Sequence, residues 1–284
     1  MNLKSLALIG LISTSASAAT QLVENKYPVT NPEVFGKQVF DDGMHTLRVY
    51  GEVMHLGGGT VNTWISLAAG GYYKIGMTFS PEILDINNLP TEATHHDAYL
   101  DFPRLAGSPF KHSYFSWNPA GHAPTNIYDI AHFDIHLSFF EKEELAAIQF
   151  ADPEGQILPP AEYMPPTSIA QTFPDGSYIN VPSQGVHWYY EDTPEYNGGV
   201  FTETMLWGSY NGKLSFVEPM ITFDTIMTET FFEKEIDMPL CVEATGFYPK
   251  VYGWQHKQNA EGQTYIDVYM KDFVFMRANA PGCR

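Results

Sequence analysis

Basic residues are scarce in this 284-residue chain. Fifteen Lys and Arg stand against 33 Asp and Glu, for a formal net charge of −18. A chain so acidic, with no basic cluster to offset it, is repelled by nucleic acid and by anionic membrane surfaces. Cysteine is nearly absent, with only Cys241 and Cys283. In an oxidising compartment the two are expected to pair, which would tie down the C-terminal end and remove any cysteine nucleophile. Past the N-terminal segment no stretch approaches the about 18 consecutive apolar residues of a membrane-spanning helix. The GxSxG elbow, the Walker-type phosphate loop and a GxGxxG after a strand are all missing; Gly57-Gly58-Gly59 reads as a turn. No internal repeat or low-complexity tract is present.

The first residues do carry a signal. Lys4 supplies a basic start, Leu6 to Ile12 an apolar stretch, and Ala16-Ser17-Ala18 a small-residue cleavage site. This is the pattern of a secretory signal peptide over 1–18, followed by a proline-containing entry segment over 19–44 and a single β-rich region over 45–284. The expected location is secreted or periplasmic.

From residue 45 onward, short alternating segments separated by glycine turns dominate. Leu47–His55, Asn62–Leu67, Tyr72–Phe79, Tyr99–Phe102 and Tyr114–Trp117 read as strands of an antiparallel meander. Ser80-Pro81-Glu82 opens a brief helix through Asp85. The expected fold class is mainly β, an antiparallel barrel or sandwich with a few short helices. Residues 158–182 carry six prolines and read as a long irregular excursion, either a functional loop or a linker.

The segment AHFDIHLSFFEKEE, residues 131–144, alternates apolar and polar positions. Its period of two makes it a strand ending near Leu137, with His132, Asp134 and His136 on one face. Glu141, Glu143 and Glu144 then crowd a first helical turn, expected to run to about Phe150. On a strand His132 and His136 stand roughly 13 Å apart, too far to grip one ion unless a bulge folds the strand. The plausible units are therefore His132 with Asp134 or Asp134 with His136, completed from elsewhere.

Those completing groups are present. His122 lies just upstream and His187 lies in QGVHWYYED. In FTETMLWGSYNGKLSFVEP, residues 201–219, Asn211-Gly212 is the signal of a two-residue type I′ hairpin. An unbroken register from that turn sets Trp207 opposite Phe216 and Met205 opposite Glu218. It would put Glu203, Met205, Trp207, Leu214, Phe216 and Glu218 on one inward face, where two carboxylates need a cation or a shared proton. Imidazole and carboxylate together suit Zn²⁺, Fe²⁺ or Mn²⁺. The candidate ligands are thus His122, His132, His136, His187 and Glu218, with Glu203 or Asp134 as general base or as an orienter of the ligands. The bland alternative is that each histidine is a satisfied structural residue. His45, His55, His112 and His256 stand isolated in the pattern and read that way, and His95-His96-Asp97 is at most a surface patch.

The stretches GHAPTNIYDIAHFDIHLSFFEKEEL, GVHWYYEDTPEYNG and FTETMLWGSYNGKLSFVEPMIT occur in that order, behind TWISLAAGGYYKIGMTFSPEILDINNLPTE and SWNP. Together they resemble the successive motifs of a family of extracytoplasmic bacterial proteins with a domain of unknown function, typified by a thermophile protein controlled by an extracytoplasmic-function sigma factor. His122, His132, Asp134, His136, His187 and Glu218 fall on motif positions; Ala131 departs from the family's usual proline. The resemblance implies a single domain over roughly 45–277 and implies no chemistry. The expectation is a secreted protein binding a divalent metal (zinc or iron), possibly an enzyme acting on a small molecule. Its alternative is a non-catalytic binding or envelope-stress protein with a structural polar cluster.

Overall fold

The computed structural model describes residues 39–41, 45–68, 71–92, 96–103 and 107–283. The signal-peptide reading and most of the entry segment lie outside these residues, as does His95.

Glycine turns and alternating side chains produce a meander of β1 (Val39–Asp41), β2 (His45–Leu56), β3 (Gly59–Ala68) and β4 (Gly71–Phe79). The chain then crosses to a second sheet through a 3₁₀ turn at Pro81–Leu84, which has proline in its first turn. That sheet collects β5 (His96–Asp101), β6 (His112–Asn118), β7 (His132–Ser138), β8 (Ser168–Ala170), β9 (Asn180–Val181), β10 (Gly185–Tyr190), β11 (Glu203–Tyr210) and β12 (Lys213–Thr222). It also carries helices α1 (Lys142–Ala147) and α2 (Phe223–Thr228) on its connections. The chain returns to the first sheet with β13 (Phe231–Glu235), β15 (Val251–Gln258) and β16 (Thr264–Lys271), while β14 (Gly246–Tyr248) pairs with β17 (Val274–Met276).

The first sheet runs β1-β2-β3-β4-β16-β15-β13. The second runs β5-β6-β7-β12-β11-β10-β8, with β9 also on β10. The two sheets form a sandwich; neither closes into a barrel. Strands β8 and β9 come from the proline-rich segment, which is therefore woven into the second sheet. Helix α1 is shorter than its acidic start suggests, ending at Ala147. The Glu144 carboxylate accepts the Glu141 backbone N–H as in a capping box.

The core lies between the sheets. Val61, Ile65, Met77, Phe79 and Ile266 of the first pack on Phe115, Phe133, Ile135, Trp207 and Val217 of the second. The Phe79 ring sits 4.9 Å from that of Phe133 and 5.8 Å from that of Phe115. Cys241 and Cys283 form a disulfide across 42 residues; a loop of that length contributes about 4 kcal/mol in the chain-entropy account. No helix among the described residues is long and apolar enough to cross a membrane.

The far face of the first sheet carries a buried ion pair. Arg48 of β2 reaches across two intervening strands, β3 and β4, to hold both Asp267 oxygens, at 3.1 and 2.8 Å, with its guanidinium 3.7 Å from the Trp64 ring centroid. Lys257 and Thr78 complete the shell of Asp267. Burial pushes the Asp267 carboxyl up, but the Arg48 and then the Lys257 charges outweigh it and hold it well below the ordinary range. Its folded value is thus lower than its unfolded value of about 3.9. The stabilisation is full above that pH and is lost as pH falls below it. Asp267→Asn should destabilise by roughly 3–5 kcal/mol at pH 7 by stranding a buried cation. Denaturant titrations from pH 5 to pH 2 should show a loss of about 1.4 kcal/mol per pH unit below pH 4 that the variant lacks. Parallel pH profiles for the two proteins would reject this account.

Candidate functional site

All seven residues of β7 are buried, so both of its faces are covered. Phe133, Ile135 and Leu137 point between the sheets. His132, Asp134, His136 and Ser138 point the other way, onto the outer face of the second sheet. There the cover comes from connecting segments: Tyr128, Phe201, Leu206 and Met220 form a separate apolar cluster on this side, joined by Tyr189 and Tyr196. Ile130 precedes the strand and is exposed, so it is no member of this face. A cavity of about 340 Å³ lies beneath the cover, with Asp97, Tyr114, Ser116, His122, Tyr128, Asp134, Gln171, Pro182, Gln184, His187 and Glu218 in its wall. The proline-rich segment supplies Gln171, Val181 and Pro182 to that wall. Three carboxylates and no lysine or arginine line it.

The hairpin that delivers Glu218 departs from the expected register. Its turn forms as read, with Asn211 and Gly212 at φ of 50° and 75° and Tyr210 opposite Lys213. Ser209 pairs with Leu214, but Gly208 then pairs with Phe216, so Ser215 is one residue too many on β12. A bulge of one residue exchanges the faces of everything beyond it. Leu214 remains in the core, whereas Phe216, Glu218 and Met220 turn outward. Glu203 and Glu218 therefore do not share a face. Glu203 lies on the inner side, where its carboxylate accepts from Tyr252 and pairs with Lys234 at 2.9 Å, both from the other sheet. The expectation that Glu203 serves the site as a base is corrected by this register.

The remaining residues divide into two groups, each of which could hold a metal ion. In the first, Asp134 Oδ1 lies 3.1 Å from His132 Nε2 and Asp134 Oδ2 lies 3.2 Å from His122 Nε2. The two Nε2 atoms are 3.1 Å from each other. His132 Nδ1 is 2.6 Å from the Ile130 carbonyl and His122 Nδ1 is 2.7 Å from the Ala123 carbonyl. A carbonyl only accepts, so each Nδ1 carries a hydrogen; each Nε2 then presents a lone pair if the ring is neutral and an N–H if it is protonated. The Asn118 amide donates to Asp134 Oδ2 at 2.8 Å, orienting the carboxylate. Asp134 Oδ1 is buried with no hydrogen-bond partner of its own.

In the second group, His136 Nε2 lies 3.3 Å from Glu218 Oε1 and His187 Nε2 3.7 Å from Glu218 Oε2. His136 Nδ1 donates to the Tyr114 carbonyl at 3.1 Å. The ring of Phe216 packs on both imidazoles, with centroids at 4.6 and 4.9 Å. That ring occupies the place of a missing side chain: a Cβ on Gly208 would lie 2.1–2.5 Å from it. Gly208 also pairs with His187 on the neighbouring strand. The bare backbone of β11 there leaves the two histidines and Glu218 free to converge across it.

Burial dominates the electrostatics. It lowers His136 to about 4 and His187 to about 3, so both imidazoles are neutral at pH 7. Burial, reinforced by the charge of Asp134, pushes Glu218 well above the ordinary carboxylate range. Burial also opposes the ionisation of Asp134, but His132 and His122 overcome it and hold that carboxyl well below its ordinary value. His122 is raised, burial being outweighed by its contact with Asp134.

Comparison with models of known protein families, with curated proteins and with solved structures returns no match. The structure gathers His122, His132, Asp134, His136, His187 and Glu218 on one side of the second sheet. Of these, sequence reasoning places only His132, Asp134 and His136 on a common face, and it does not single out Asn118, Tyr114, Gln171 or Gly208. Gly208, a lone glycine inside a strand pattern, carries the readable signal of a bulge or a close approach.

Gly208→Ala should therefore disturb the second group without entering either. Overpacking against Phe216 is expected to cost about 1–3 kcal/mol in denaturant unfolding. The ring must move off His136 and His187, which would appear as shifted imidazole resonances for those two and not for His122 or His132. Unchanged stability and unchanged imidazole resonances would contradict the packing described.

Proposed function

We propose that this is an extracytoplasmic protein that binds a divalent transition metal, zinc or iron, through His122, His132 and Asp134, under a cavity that admits a small molecule. The observation that carries the reading is the commitment of both Nδ1 atoms to backbone carbonyls, which turns two Nε2 atoms, 3.1 Å apart, toward one carboxylate. Lone pairs at that distance repel unless a cation lies between them. Ligand atoms around a tetrahedral zinc, with bonds of about 2.0–2.1 Å, stand about 3.3 Å apart. The separations here are 3.1, 3.1 and 3.2 Å. Histidines whose second nitrogen donates to a backbone carbonyl, and a carboxylate oriented by an amide, are the usual support of such ligands.

Two imidazoles and one carboxylate suit zinc or ferrous iron, and three protein ligands leave coordination positions open to the cavity. When bound, such an ion polarises an oxygen of the ligand or activates a water. The chain's own contribution is to hold the ion, to exclude bulk water with Tyr128 and the proline-rich segment, and to orient a small molecule with Gln171, Gln184 and Ser116. The signal-peptide pattern, the disulfide and the motif resemblance support an extracytoplasmic location.

A second reading, a non-catalytic protein whose cluster is structural, draws on one observation. Contact with Asp134 raises His122, and an imidazolium there would relieve the lone-pair repulsion with a proton in place of a metal. Metal analysis separates the two. Untagged protein should retain zinc or iron through gel filtration, and His132→Ala and Asp134→Asn should each carry less, with affinity lowered roughly 10–100-fold or more and the β-sheet spectrum intact. Wild-type protein that stays metal-free after incubation with zinc and with ferrous iron would leave the proton as the occupant.

A further inference from the structure

The first group accounts for one ion and leaves the second convergence unexplained. His136 leaves β7 two residues after Asp134, His187 comes from β10 and Glu218 from β12, and their ligand atoms lie within 4.8 Å of one another. All three are buried, Glu218 at 1% exposure and His136 at 2%. Among the described residues no backbone N–H, hydroxyl or amide donates to the Glu218 carboxylate. Its Oε2 is enclosed with no hydrogen-bond partner, and the facing His136 Nε2 is enclosed as well, with no well-formed hydrogen bond and only the Gln184 side chain as a further polar neighbour of that ring. Because His136 Nδ1 is spent on the Tyr114 carbonyl, the nitrogen turned toward Glu218 is a lone pair. A carboxyl oxygen and an imidazole lone pair thus face each other at 3.3 Å in a buried niche, an arrangement that needs either a proton on Glu218 or a cation between them. The sequence goes to some length to build it: a bulge that turns Glu218 outward, and a glycine that clears the strand between Glu218 and His187.

We propose that His136, His187 and Glu218 form a second divalent-metal site, distinct from the His122, His132 and Asp134 site and opening on the same cavity. Asp134 and His136 alternate along one strand, which sets their Cα atoms roughly 7 Å apart. The two groups share no residue, so each ion would have its own ligands. His187 and Glu218 belong to the cavity wall together with His122 and Asp134, so one small molecule can touch both.

The test is a stoichiometry. Untagged protein is stripped with chelator, dialysed and titrated with Co²⁺, bound ion being counted by elemental analysis and by visible absorption. Wild type should bind two ions per chain. Glu218→Gln, which keeps the shape of the side chain, should bind one, and His187→Asn should also bind one should the buried amide prove poorly tolerated. His132→Ala should bind one, and His132→Ala combined with Glu218→Gln none. A wild type that binds a single ion, retained in full by Glu218→Gln and by His187→Asn, overturns the second site and leaves the first standing. Loss of one ion in Glu218→Gln with none lost in His132→Ala has the reverse meaning. No binding in wild type removes both.

Discussion

The arrival of a carboxylate opposite His136 on the outer face of the second sheet depends on one surplus residue. Ser215 has no partner on β11, and the single-residue slip it introduces decides on which side of the sheet Phe216 and Glu218 emerge. Without it both would point between the sheets, a carboxylate among Met205 and Trp207 with a second, Glu203, nearby. With it the core keeps Leu214, Val217 and Ile221, and a carboxylate arrives opposite His136. The cost of the bulge is local. The Ser215 hydroxyl has no hydrogen-bond partner, but the Ser215 carbonyl accepts from Phe139 N–H and the Ser138 hydroxyl. Strand β7 thereby stays locked to β12 beside the irregularity.

The second constraint is that β7 is buried on both sides while being apolar on one only. Its odd residues obey ordinary sandwich packing. Its even residues would be solvated in a simpler sandwich, and here they are roofed by the 119–131 loop, the proline-rich segment and the stretch around Phe201. A roof over three titratable side chains is unfavourable unless they compensate one another. Two sets of compensation are visible: Asp134 with two histidines and an amide, and Glu218 with two histidines and nothing more.

Much of this was legible in the alternation alone. The period-two patterns of Leu47–His55, Tyr72–Phe79 and 130–138 correspond to β2, β4 and β7, and Asn211-Gly212 makes the turn its φ requirements favour. The spacing of His132 and His136 along a strand pointed to different partners for the two, and they do fall in different groups. Ser215 itself left no trace, since serine is tolerated in a regular strand as well as in a bulge; the one hint of the slip was Gly208, the strand-interior glycine beside it on β11. From the hairpin alone Glu203 and Glu218 are indistinguishable; only the pairing of β12 with β7 and of β13 with β15 assigns one to the cavity and the other to Lys234 and Tyr252. The division of six polar residues into two groups was likewise beyond local pattern, as it rests on which strands lie next to each other in space. Helix α1 ends early for a similar reason: Leu145 and Ile148 are its buried contacts, and the chain turns away once these are seated.

Of the six residues, five stand on strands and only His122 stands on a loop, partly exposed at the rim. Strand-borne side chains arrive already aimed, so an incoming species need not order them and the protein's outline should hardly change on capture. His122 is the exception. Were an ion to lie beside Asp134, the partly exposed His122 would be the corner of its frame nearest to solvent, whereas the group beside Phe216 is framed by strands alone and would meet solvent only through the cavity.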